Sequence, residues 1–145
     1  NKIAGVFDSE DKPPQQIERA VKIFKEECYE TIEACKNNNS IELLDGVCDV
    51  FVTLSGLMQT MQHLGFDVEE ALKRVCDNNL EKFPQAFEIG PSAAQMLSLQ
   101  PNETSATYNE EANCYVYKDK NGKVKKPVGF KPVELSDLCP KDIWQ

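Results

Sequence analysis

Two clusters of carboxylates stand at helical spacing in this chain. Lys25–Ala34 reads KEECYETIEA and holds Glu26, Glu27, Glu30 and Glu33, and Glu42, Asp45 and Asp49 follow a short way on. A helix advances about 100° per residue, so Glu27 and Glu30 project within about 60° of each other. The three- and four-residue intervals of Glu42, Asp45 and Asp49 line them along one stripe. Like charges at such spacing repel by about 0.2–0.5 kcal/mol per pair. A solvated helix face usually interleaves Lys or Arg, yet Ile41–Leu64 contains neither. Two readings follow: acidic solvated faces, or oxygen ligands for a hard cation. Mg²⁺ takes such ligands, keeps part of its water and commonly bridges to phosphates.

The elements that must position these acids are legible from apolar periodicity. Ile17, Val21, Phe24, Cys28, Ile32 and Cys35 predict a first helix over Pro14–Lys36, with Pro14 suited to its first turn. The NNNS run ends it, and Ser40 is expected to cap a second helix over Ile41–Leu64, stopped by Gly65. Apolar residues cover more than one face of that second helix, which predicts burial on several sides, in a bundle or a subunit interface. Asp67 is expected to cap a third helix running to Phe83, with Glu70 at the capping-box position. An antiparallel hairpin of the first two helices would bring Glu27 and Glu30 near Glu42 and Asp45.

Beyond Pro84 the pattern weakens. PSAAQMLSLQ suggests a short helix from Ser92, PNETSATYNEEAN reads as loop, and Asn121-Gly122 signals a hairpin between two short strand-like runs. The expected fold is all-α: a helical bundle built on a long antiparallel helical hairpin, with a small C-terminal β-hairpin. It is read as one domain over 1–145, with a helical core about 14–83, an insertion 84–112 and a β-hairpin and tail 113–145.

Composition narrows the function. The 145 residues are 41% hydrophobic and 28% charged, which fits a folded domain rather than a disordered chain. A net charge of −8 argues against a nucleic-acid polymer as partner, because such binding rests on a basic surface. A small phosphorylated ligand stays compatible, since a divalent cation can join two sets of negative charge. No apolar run is long enough for a membrane span. The opening residues lack an apolar signal core, which predicts a cytoplasmic location. The six cysteines form no CxxC, and Cys28, Cys35 and Cys48 fall at apolar helical positions, so they are expected to be reduced core residues. A di-iron carboxylate bundle requires two Glu-x-x-His motifs, and His63 is the one histidine, without Glu at position 60.

Glu26-Glu27-x-x-Glu30 followed by Glu42-x-x-Asp45 resembles the EExxE…ExxD signature of the all-α nucleoside triphosphate pyrophosphohydrolases. That superfamily includes MazG-like enzymes, dimeric dUTPases and phosphoribosyl-ATP pyrophosphohydrolases. Asn79 and Lys82 match the family's Asn-x-x-Lys, and DKNGKVKKPVGFKPVEL is similar to the tail of MazG-like and phosphoribosyl-ATP-type members. The resemblance covers roughly residues 14–83 and 115–135. The chain departs from it in a longer segment between Phe83 and the hairpin and in a short interval between Glu30 and Glu42.

The resemblance implies cleavage of a (d)NTP between the α and β phosphates, giving a nucleoside monophosphate and pyrophosphate. It implies Mg²⁺, with Mn²⁺ as a substitute, held by Glu27, Glu30, Glu42 and Asp45. Glu26 or Glu30 would serve as general base. Asn79, Lys82, Asp49 and Lys126 would contact the substrate or support that contact. The lysines around the hairpin have a second explanation as guards of an edge strand. The apolar second helix predicts a homodimer or homotetramer. The competing reading is a non-catalytic helical interaction module with an acidic cation-binding groove.

Overall fold

Two prolines open the first helix. In the computed structural model, which describes residues 11–85 and 103–145, α1 spans Pro13–Lys36. Proline suits the first helical positions because the N–H groups there have no intrahelical acceptor. The helix closes on Asn38, which takes a positive φ of 54°. The amide of Asn38 donates to Cys35 O at 3.1 Å and that of Asn39 to Ala34 O at 3.0 Å, the two bonds of a Schellman closure.

The next helix, α2, spans Ser40–His63. Its cap is Asn39 rather than the expected Ser40: Asn39 Oδ1 accepts from the Glu42 amide at 3.2 Å. Both residue types cap well, but the closure of α1 leaves Asn39 in the extended conformation of a cap, and Ser40 is already helical. Gly65 ends α2 as anticipated, with φ of 95°, its amide on Gln62 O and the Phe66 amide on Met61 O. The third helix, α3, spans Val68–Leu80, shorter than its apolar pattern suggested.

Two antiparallel strands, β1 (Thr104–Asn109) and β2 (Cys114–Asp119), form the sheet, with Ala106 opposite Tyr117 and Tyr108 opposite Tyr115. The expected hairpin about Asn121-Gly122 is therefore displaced. That turn forms, with Gly122 at φ of 79°, but beyond it only the Lys118–Val124 bridge pairs with β2. The run after Val124 is lysine-rich and reaches Pro127, which has no N–H to extend a ladder. The partner strand instead comes from TSATYN, read from sequence as loop because its residues are small and polar. The helix expected from Ser92 lies outside the described residues.

The chain divides into two compact units. One comprises the chain up to Glu69 with Ser136–Gln145; the other is Glu70–Leu135. In the first, α1 and α2 pack against each other. Ile17 and Ala34 of α1, Gly46 and Thr60 of α2, and Ile143 of the tail are buried. In the second, Tyr117 is wholly buried, beside Cys114 and Tyr115.

Much of α2 is not covered within one chain. Ile41 is 81% exposed and Phe51 71%, and Leu44, Val47 and Val52 are also open. The cysteines are free, as expected, but Cys35 and Cys48 are exposed and Cys28 only partly covered. They are not core residues of the single chain: the buried positions of α1 and α2 are Ile17, Ala34, Gly46 and Thr60. Among the described residues no helix is long and apolar enough to cross a membrane.

Candidate functional site

A glycine lies where α1 and α2 come close together. A Cβ at Gly46 would lie 2.6 Å from Thr31 Oγ1 and 3.2 Å from Thr31 Cα. Thr31 Oγ1 is turned back into its own helix, donating to the Glu27 carbonyl at 2.8 Å. Gly46 thus lets α2 sit against the turn of α1 that carries Glu27 and Glu30. Its immediate neighbour is Asp45, and Asp49 follows on the same helix.

The electrostatic result appears at Glu27. This side chain is partly covered, and its carboxyl is held above the ordinary carboxylate value. Desolvation contributes most, followed by the charges of Glu30, Asp49, Glu26 and Asp45. Four of the five other sequence-nominated acids of the two helices therefore act on one carboxylate. From α2, Asp49 acts more strongly than Asp45. Glu42 sits exposed in the first turn of α2, where its charge suits the helix N-terminus. Glu33 is exposed and pairs with Lys36.

Among the described residues no three His, Cys, Asp or Glu side chains are grouped closely enough to hold a metal ion. The donor set nevertheless suits a hard cation. It is all oxygen and comes from two helices packed on each other.

The other sequence-nominated residues belong to the second unit. Asn79 Oδ1 accepts from Lys82 Nζ at 2.7 Å. Lys82 Nζ also stands 5.9 Å from the centre of the Phe130 ring, and Lys126 Nζ stands 5.0 Å from the same ring. Phe130 is positioned by the tail, which α3 holds in two places. Asn78 Nδ2 donates to Lys131 O at 2.7 Å, and Arg74 donates to Glu134 O at 3.1 Å. Beside this cluster lies a groove of about 550 Å³, lined by apolar residues such as Leu80, Phe83, Val128 and Phe130 and also by the carboxylates Asp77 and Glu81.

Sequence reasoning passed over Gly46, Thr31 and Phe130. Gly46 had a signal, since an isolated glycine inside a helical pattern commonly marks close packing. Phe130 had a weaker one, an aromatic between two lysine–proline runs.

Comparison with curated proteins and with solved structures gives no match. A family model does match, that of the MazG nucleotide pyrophosphohydrolase domain, over residues 15–87. The matched stretch contains α1 from its third residue onward, the whole of α2 and α3, all the nominated carboxylates, and Asn79 and Lys82. A hydrolase acting on nucleotides is the activity this family indicates. The chain belongs to the MazG nucleotide pyrophosphohydrolase domain family.

Proposed function

We propose that the chain hydrolyses a nucleoside triphosphate between its α and β phosphates, releasing a nucleoside monophosphate and pyrophosphate. The observation that carries the proposal is the packing of Gly46, next to Asp45, against Thr31 on the turn that bears Glu27 and Glu30, within the stretch that matches the family; the raised proton affinity of Glu27 is in keeping with it. A carboxylate whose charge is opposed by burial and by neighbouring acids favours a divalent cation as well as a proton.

The pair α1 and α2 is read as an antiparallel hairpin. With Gly46 against Thr31, Glu27 lies four residues back along α1 and Asp49 three residues on along α2. At about 1.5 Å per residue these two acids stand nearly level. That agrees with Asp49 acting on Glu27 more strongly than Asp45.

Glu27, Glu30, Glu42 and Asp45 are the proposed ligands of Mg²⁺, with Mn²⁺ as a substitute. When bound, the ion neutralises phosphate charge and orients the leaving group. Glu26 or Glu30 accepts the proton of the water that attacks phosphorus as the bond to the pyrophosphate oxygen breaks. Asp49, level with Glu27, supports this acidic face. Lys82 and Lys126 pair with phosphate oxygens. Asn79 engages Lys82 through its carboxamide oxygen, which leaves its NH₂ end as the donor to substrate.

The open apolar face of α2 supports assembly into a homodimer or homotetramer, because faces this apolar are usually covered in soluble proteins.

Pyrophosphate release from a panel of NTPs and dNTPs, with and without Mg²⁺, tests the reading. Turnover of at least one nucleotide, abolished by Glu27→Gln with Glu30→Gln, is the expected result. No turnover across the panel, or full turnover in the double variant, overturns it and favours a non-catalytic cation-binding module.

A further inference from the structure

We infer that Phe130 is a positioning residue for polyphosphate recognition: its ring gathers Lys82 and Lys126 into a paired cationic site. The inference rests on the reading of the substrate as a nucleoside triphosphate, and it adds a residue that neither the signature nor the matched stretch contains.

Three observations carry it. The first is the shared ring. Lys82 arrives from the segment just after α3 and Lys126 from the tail, far apart in sequence, yet each ammonium faces the Phe130 ring, at 5.9 and 5.0 Å. An aromatic face attracts a cation through its quadrupole, more strongly where water is partly excluded. Phe130 and Lys82 are both partly covered. Left to themselves, two ammonium groups repel, so a common ring is a physical reason for them to stay together in a chain of net charge −8.

The second is that the ring is fixed. Arg74 and Asn78, one helical turn apart on α3, grip the backbone of Glu134 and Lys131. Lys131 directly follows Phe130, so the anchor is next to the ring. The turn before it contains Gly129 at φ of 84°, a conformation that favours glycine.

The third is that Lys82 is held from a second direction by Asn79 Oδ1 at 2.7 Å. A lysine on a surface loses rotamer freedom when it binds an anion, and one already held by an amide and a ring loses less. A ligand carrying several adjacent negative charges gains most from such a pair. The chemical class is a condensed phosphate chain, as in a nucleoside triphosphate or in pyrophosphate itself.

Binding of inorganic tripolyphosphate to the full chain in the presence of EDTA, followed by titration calorimetry, isolates this site from the metal chemistry. Wild-type protein is expected to bind, with affinity falling as salt rises. Lys82→Gln with Lys126→Gln should abolish binding. Phe130→Leu should weaken it roughly fivefold, whereas Phe130→Trp, with the stronger ring, should retain or improve it. Replacement of Phe130 by pentafluorophenylalanine keeps the shape and reverses the ring's charge distribution, so it decides the matter even if the leucine variant does not fold. Loss of affinity in the fluorinated protein supports the inference. Unchanged affinity there, or no binding by wild-type protein, overturns it. Nucleotide turnover unaffected by fluorination would leave the proposed activity standing without this role. Phe130-dependent tripolyphosphate binding without any nucleotide turnover would leave the site standing without the activity.

Discussion

Gly46 and Thr31 meet with no room for a side chain between them: a Cβ at 46 would fall 2.6 Å from Thr31 Oγ1. The consequence reaches the carboxylates, because this contact is what lets α2 approach the turn bearing Glu27 and Glu30.

Gly46→Ala should therefore separate the helices. Overpacking costs about 1–3 kcal/mol, and the better helix propensity of alanine returns up to about 1 kcal/mol. A net destabilisation is expected, measured by urea unfolding. Thr31→Ala removes the nearest atom and should restore part of the loss in the double variant, a coupling that a mutant cycle reads directly. The same glycine variant should bind Mn²⁺ more weakly.

Glu27→Gln should stabilise the metal-free fold at neutral pH. A carboxyl whose folded value is raised binds protons more readily in the folded state, so folding loses stability as pH rises through the carboxylate range. The advantage of glutamine should disappear below the ordinary carboxylate value, where both side chains are neutral. Thermal melting across pH in EDTA checks this. Added Mg²⁺ should reverse the order, stabilising wild-type protein more than the variant.

Asp119 titrates in the opposite direction. Its Oδ1 accepts from the amides of Asn121 at 2.9 Å and Lys123 at 3.0 Å, closing the turn. The Lys123 amide bond is the leading cause that holds its carboxyl below the ordinary value, with the charges of Lys125 and Lys123 adding to it. The stability it contributes is present above the unfolded carboxylate value and lost as pH falls through the folded one. Asp119→Asn should speed hydrogen exchange at the Asn121 and Lys123 amides at neutral pH, and the difference from wild type should shrink in acid.

Phe51→Glu tests the assembly proposed from the open face of α2. At 71% exposure the side chain supports little of the single-chain fold. Sedimentation should show a multimer for wild-type protein and a smaller species for the variant, with helical content retained in both. A wild-type monomer at micromolar concentration would count against assembly through this face.

The helices were readable because Ile17, Val21 and Phe24 repeat at helical intervals and Gly65 stands where a left-handed stop was needed. The choice of cap was not readable, since Asn39 and Ser40 are both capable and the geometry of Asn38 decides between them. Strand β1 was hidden because only Thr104 is buried in it, so no apolar alternation marks it. The acids themselves were legible as types at spacings, whereas their mutual influence at Glu27 depends on Gly46, whose role is a distance between helices and not a pattern along one. The lysine pair was half legible: Lys82 and Lys126 stood out, but the ring that joins them arrives through long-range hydrogen bonds.

The three asparagines between α1 and α2 leave no slack. Asn37 closes α1, Asn38 takes the left-handed turn, and Asn39 completes that closure while capping α2. Every residue of the connector is already committed to a helix end. One inserted residue would either break a cap or turn α2 by about 100° about its axis. Asp45 and Asp49 would then point away from Glu27 with every carboxylate still present. The connector acts as the gauge that sets the angular phase of one acidic helix against the other.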